Sequence, residues 1–91
     1  DLMQLSDAFP NPFNPTTQVT MNLNTTASVT ASIFSVTGEL IQSLLPRTLS
    51  LGSHTLSFDL SASPTGTYFI RVTASGASGT ASIVRKALLI R

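Results

Sequence analysis

The stretch Thr17-Gln18-Val19-Thr20-Met21-Asn22-Leu23 alternates strictly: Val19, Met21 and Leu23 occupy every second position, with Gln18, Thr20 and Asn22 between them. Successive side chains of a β-strand point to opposite faces, so this spelling places apolar groups on one side and polar groups on the other. It reads as a strand buried on one face. A helical reading needs a period of 3.6 residues, and no such period persists along the chain for the ~11 residues of an average helix.

The same alternation recurs outward from this stretch. Over residues 28–36, Val29, Ala31 and Ile33 share a face, and the apolar phase then changes at Phe34 and Val36, which predicts a twist or bulge near the strand end. Thr37-Gly38 is the expected turn, since glycine adopts positive φ at no steric cost. Residues 39–45 return as the next strand, which Pro46 is expected to end. Residues 49–52 form a short apolar stretch closing at a Gly-Ser turn. His54, Leu56, Phe58 and Leu60 then alternate with Thr55, Ser57 and Asp59. A loop over residues 61–66 carries Pro64 and Gly66. Tyr68, Ile70 and Val72 define the core face of the following strand, and a turn over residues 76–79 leads into a last strand ending in an apolar run. Residues 1–14 read as a lead-in whose Leu2, Leu5 and Phe9 cover an edge or one end of a core. The expected fold is all-β, an immunoglobulin-like antiparallel β-sandwich of about six to seven strands, because two packed sheets bury alternate faces economically. The strand order is left open.

Composition agrees. Ninety-one residues suffice for one domain, with 42% hydrophobic and 10% charged residues, the balance of a folded chain. The net charge is +1, and Arg47, Arg71, Arg85, Lys86 and Arg91 are scattered apart from one adjacent pair. That is no basic stripe for a phosphate backbone, so no nucleic-acid partner is expected. No apolar run approaches the ~20 residues of a membrane helix. No signal peptide opens the fragment. Without cysteine, disulfides, thiolate nucleophiles and cysteine-ligated metal are excluded.

Pro10, Pro12 and Pro15 fix φ and remove three backbone donors, so residues 9–15 form a rigid, non-helical segment in which Asn11 and Asn14 are placed for local turns. The run Phe9-Pro10-Asn11-Pro12-Phe13-Asn14-Pro15-Thr16-Thr17 resembles the opening signature of the type A C-terminal sorting domains of the type IX secretion system of the Bacteroidota and related phyla. Later stretches follow in the same order. Ile33-Phe34-Ser35-Val36-Thr37-Gly38-Glu39 is similar to that family's strand, glycine turn and return strand. Leu51-Gly52-Ser53-His54 and Phe58-Asp59 resemble its Ala-Gly-x-His and Trp-Asp stretches. Pro64-Thr65-Gly66-Thr67-Tyr68-Phe69 resembles its Ser-Gly-x-Tyr motif, and Arg85-Lys86-Ala87-Leu88-Leu89-Ile90 resembles its basic-then-apolar final strand. The resemblance runs from Phe9 to Arg91. Phe58 stands where the family often has Trp, Thr37 where it often has Leu, and Leu51 where a small residue is usual.

The resemblance implies a non-catalytic C-terminal sorting signal that directs a passenger protein through an outer-membrane translocon. It implies removal by a sortase-like protease and attachment of the passenger to surface lipopolysaccharide. The path runs through the periplasm to the outer-membrane surface or the medium. On this reading residues 1–8 are a linker from the covalently joined passenger and residues 9–91 are the sorting domain. The absence of a signal peptide fits, since it would lie at the far end of the passenger.

The recognition candidates are Pro10, Asn11, Pro12, Phe13, Asn14, Pro15, Gly66, Tyr68, Arg85, Lys86, Leu88 and Ile90. Each has a purely structural counterpart. The proline segment is either a stiff recognition element or a rigid spacer. The terminal strand over residues 83–90 either adds its unpaired edge to a strand of the translocon, with Arg85 and Lys86 setting orientation, or carries Lys86 as a guard against aggregation. Gly66 is expected at a turn, and Tyr68 in the core with its hydroxyl at the rim.

A hydrolase reading of His54 and Asp59 is disfavoured. Their odd spacing puts them on opposite faces of a strand, and no Gly-x-Ser-x-Gly elbow is present. No cofactor is expected. The lone histidine has no partner at metal spacing, and Asp1, Asp7, Glu39 and Asp59 are dispersed, so calcium would need backbone carbonyls. Two other readings are an appended carbohydrate-binding or adhesive sandwich, and a structural spacer or weak homodimer through an edge strand.

Overall fold

A computed structural model describes residues 2–77 and 79–91, and for Leu45 the backbone alone. Asp1 of the expected lead-in, Ser78 of the expected turn and the side chain of Leu45 lie outside the described part. Seven strands run in chain order: β1 (Met3–Leu5), β2 (Thr16–Leu23), β3 (Ala27–Ser35), β4 (Leu40–Leu49), β5 (Gly52–Asp59), β6 (Gly66–Gly76) and β7 (Gly79–Leu89). They pair antiparallel into a three-stranded sheet, β1-β2-β5, and a four-stranded sheet, β4-β3-β6-β7. This three-over-four division is that of an immunoglobulin-like sandwich.

The alternation that predicts the strands also builds the core. Along β2 the burial pattern alternates without a break, and Val19, Met21 and Leu23 are sealed between the sheets. Ile33 of β3, Phe58 of β5, Ile70 and Val72 of β6, and Leu89 of β7 belong to the same buried cluster. Each such side chain contributes roughly 1.5–3 kcal/mol by leaving water. The phase change expected at Phe34 is a register shift between Ile33 and Phe34 in the pairing of β3 with β4, and Gly38 turns the hairpin with φ 91°.

Two expectations fail, those for Pro46 and for Phe9. Pro46 does not end the fourth strand, which continues to Leu49. Leu44 pairs with Ala31 and Arg47 with Val29, so β4 carries one extra residue between these pairs, and Pro46 sits in that irregularity. β4 is an edge strand, and a proline at an edge bulge removes no ladder hydrogen bond that the sheet needs. The lead-in covers an edge, as expected of Leu2 and Leu5, and does so as a strand: β1 pairs with β2, Met3, Leu5 and Ala8 are buried in the core, and Leu2 packs against it. The segment is too short for its alternation to stand out, but Met3 and Leu5 face inward like any strand pair. Phe9, expected to help cover the core, is 72% exposed.

Candidate functional site

The lead-in and the proline segment hem both sheets in turn. Ser6 N–H donates to the Thr20 carbonyl, and Phe9 exchanges two backbone hydrogen bonds with Gln18 at 2.9 and 3.0 Å, so the chain follows the outer edge of β2 up to Pro10. It then crosses to the other sheet. Phe13 N–H donates to the Leu88 carbonyl at 2.9 Å, and Ile90 N–H donates to the Phe13 carbonyl at 3.0 Å, a parallel bridge to the end of β7. Asn11 completes the strap: its Nδ2 donates to the Lys86 carbonyl at 3.2 Å and its Oδ1 accepts from Leu88 N–H at 2.9 Å. A strand that changes sheets this way needs a bend without ladder donors, which is what prolines supply. The Phe9-Pro10, Asn11-Pro12 and Asn14-Pro15 peptide bonds are all cis.

This geometry corrects the reading of β7 as a free edge. β7 is an edge strand by topology, but four outward-pointing backbone groups at its end, the carbonyls of Lys86 and Leu88 and the amides of Leu88 and Ile90, are already paired with Asn11 and Phe13. The open part of the edge lies further back, along Thr80, Ser82 and the Val84 amide, whose backbone points the same way as that of Leu88; the Val84 carbonyl accepts from Arg85 Nη1 at 3.5 Å. Phe13, a recognition candidate, is only 3% exposed and is a core residue. The side chains of Pro10, Asn11, Pro12 and Asn14 remain exposed, and Pro15 is half-buried.

Arg85 fastens the lead-in ahead of the strap. Its Nη2 donates to the Leu5 carbonyl at 2.8 Å, its Nε to the Ser6 carbonyl at 3.3 Å, and the same Nε lies 3.5 Å from an Asp7 carboxylate oxygen. It therefore ties β7 of one sheet to β1 of the other. Lys86, Leu88 and Ile90 point to solvent, while their neighbours Ala87 and Leu89 are buried. Tyr68 is buried, and its hydroxyl donates to the Pro64 carbonyl at 2.6 Å, which pins the loop before β6. Gly66 is not at a turn: it is the first residue of β6, pairs with Leu89, and has no left-handed φ. A Cβ there would meet only the Tyr68 ring, at 4.0 Å. The structure thus brings Asn11, Phe13, Lys86, Leu88 and Ile90 together, with Arg85 beside them, and places Gly66 across the ladder from Leu89.

Sequence reading missed Thr17. It is the one buried polar residue among the described positions, and its hydroxyl donates to the Pro10 carbonyl at 2.9 Å, holding the strap where it leaves β2. The signal was present: Thr17 shares the parity of Val19, Met21 and Leu23, so it had to face inward. His54 and Asp59 do lie on opposite faces of β5. His54 shares the face of Leu56 and Phe58 and its Nε2 is 2.7 Å from the Ser50 carbonyl, while Asp59 accepts from the Ser61 amide.

The family of secretion system C-terminal sorting domains matches residues 7–86. The chain belongs to that family. This sorting domain also resembles, at a TM-score of 0.74 and 18% sequence identity, a part of dimeric latent PorU from Porphyromonas gingivalis. The match covers 97% of this chain and 9% of that one, and it confirms the fold. No curated protein matches the chain. As a member of its family the chain is a C-terminal sorting signal of the type IX secretion system. It acts with that system and with a passenger protein, and the protein bearing it is secreted or held at the cell surface. The alternative of a carbohydrate-binding module finds no support in either match.

Proposed function

We infer that the sorting domain is read in its folded state, at the seam where the strap of residues 9–15 lies on the end of β7. The observation that carries this is the double hydrogen bond of Asn11 to Lys86 and Leu88, which makes the opening and closing motifs one continuous surface. Pro10, Asn11, Pro12 and Asn14 form one flank of that surface and Lys86, Leu88 and Ile90 the other; Arg85 and Phe13 hold it from beneath, and Tyr68 and Gly66 shape the adjoining loop. The partners are the outer-membrane translocon, then a sortase-like protease that removes the domain, with the passenger ending on surface lipopolysaccharide or in the medium. The domain passes through the periplasm on the way and performs no catalysis itself. The pairing of β1 with β2 supports a junction with the passenger ahead of Met3, in place of a linker over residues 1–8. A weak homodimer would use the open stretch of β7 around Ser82.

The test is a fusion of residues 1–91 to a periplasmic reporter in a host with this secretion system. The reporter is expected at the surface or in the medium. Deleting residues 86–91 is a poor probe, because it removes Ala87 and Leu89 from the core. The double substitution Leu88→Ser/Ile90→Ser alters only outward-facing groups and is expected to hold the reporter in the periplasm. Normal export of that variant removes the seam from the recognition surface, and retention of the unaltered fusion defeats the sorting reading.

A further inference from the structure

The two solvent faces of the sandwich differ in kind. On the three-stranded sheet, the outward positions of β2 and β5 are Thr16, Gln18, Thr20 and Asn22 against Asp59, Ser57, Thr55 and Ser53, a polar face throughout. The four-stranded sheet is graded along its strands. One cross-strand row reads Thr48, Ser28, Ser75 and Thr80, and the row of Thr30, Thr73 and Ser82 follows it. Hydroxyl pairs Thr73–Ser82 at 2.6 Å and Ser75–Thr80 at 3.1 Å knit this end together. Towards the other end the row Ser43, Ser32, Arg71 and Val84 gives way to Leu40, Phe34, Phe69 and Lys86. Leu88 lies beside this last row, opposite Thr67. Leu40 and Val84 are 54% and 49% exposed, and Phe34 and Phe69 are half-buried although they face solvent.

Apolar residues at outward positions of three successive strands form a contiguous patch of the kind that marks an interaction site. The charged side chains in its cross-strand rows, Arg71 and Lys86, are both cationic, and Glu39 lies outside those rows in the turn beside Leu40. The Arg71 guanidinium lies 5.1 Å from the centre of the Phe34 ring, and neither Arg71 nor Lys86 has a carboxylate partner among the described residues. Aromatic rings with a stacked arginine, ringed by polar groups, are the composition of protein-interface centres.

We propose that this end of the four-stranded sheet is a docking surface for a protein whose contact face has an apolar centre and flanking carboxylates. Arg71 and Lys86 take up the carboxylates, and Phe34, Phe69, Val84 and Leu88 bury against the centre. The charge complementarity selects an acidic partner. The presence of only two cations, where lipid-binding clusters of Lys and Arg carry about four to eight, selects a protein over a bilayer. The surface adjoins the seam at Lys86 and Leu88 and extends it across β6 and β3. The proposal rests on the sorting reading, the partner being a component of the export machinery.

The experiment uses the same reporter fusion. Arg71→Glu/Lys86→Glu reverses both charges, and Gln18→Glu/Thr55→Glu puts two glutamates on the opposite face. Thermal melting of each purified chain establishes that it remains folded. Export is expected to fall by about tenfold or more in the first variant, the scale of losing one interface hot spot, and to stay unchanged in the second. A photo-crosslinker at Val84 is expected to give a protein adduct in the unaltered fusion that disappears with Arg71→Glu/Lys86→Glu, while one at Thr55 gives none. Normal export of the folded first variant, or equal loss in both variants, overturns the docking surface and leaves the sorting reading standing. Retention of the unaltered fusion overturns both. Charge-dependent binding of the purified chain to phosphatidylglycerol vesicles, or a dimer that Arg71→Glu/Lys86→Glu dissolves, assigns the face to a membrane or to a second copy and overturns the acidic protein partner.

Discussion

Phe13 and Asn11 sit two residues apart in the same strap and hold it by different means. Phe13 is packed into the core, whereas Asn11 is exposed and acts through two hydrogen bonds to β7. Truncating a buried phenylalanine costs about 3–5 kcal/mol through lost burial and the cavity left behind. For a domain of this size that is a large part of a total of roughly 5–15 kcal/mol. Phe13→Ala is therefore expected to lower the denaturant midpoint severely. Asn11→Ala gives up bonds that water partly replaces and is expected to cost about 1 kcal/mol. Equal effects of the two substitutions in urea titration would contradict this division of roles. Gly66→Ala is expected to lie within about 0.5 kcal/mol of the parent, since the added methyl meets only a ring at 4.0 Å and no left-handed φ is needed there. A large loss would return Gly66 to the role of a turn residue.

The final strand divides into two halves with different edges. From the Lys86 carbonyl onward its outward backbone groups are paired with the strap, and around Ser82 they face solvent. Hydrogen exchange reports this directly. The amides of Leu88 and Ile90 are expected to be protected, those of Ser82 and Val84 to exchange quickly, and Asn11→Ala to release Leu88 first. Uniform protection along β7 would mean that another element covers the open half; uniform exchange would mean that the strap is not closed. Proline serves this element well, because a strap rich in proline pairs with β7 yet offers few N–H donors on its far side for a further strand.

Across the whole sandwich, the two sheets are fastened along one side by Arg85, reaching from β7 to the carbonyls of Leu5 and Ser6. Removing residues 1–5 takes away β1, uncovers the edge of β2 and deletes Met3 and Leu5 from the core. The shortened chain is expected to melt at a lower temperature and to self-associate through the exposed β2 edge, as sedimentation of the two forms can establish. An unchanged melting temperature would show that the lead-in is dispensable to the fold.

Alternation at Val19, Met21 and Leu23, at Leu56 and Phe58, and at Ile70 and Val72 determined that the chain is all-β and which side of each strand is buried, because a period of two is a local property of the backbone. The family was equally local, carried by ordered short motifs from Phe9 onward. Three features came only with the tertiary structure: the strand order, the strand character of Met3–Leu5, and the pairing of Asn11 with residues 75 and 77 positions away. These depend on which edges meet once the sheets stack. Spacing along the chain carries no trace of that meeting, and so neither the seam nor the apolar, cationic end of the four-stranded sheet could be seen before the strands were laid side by side.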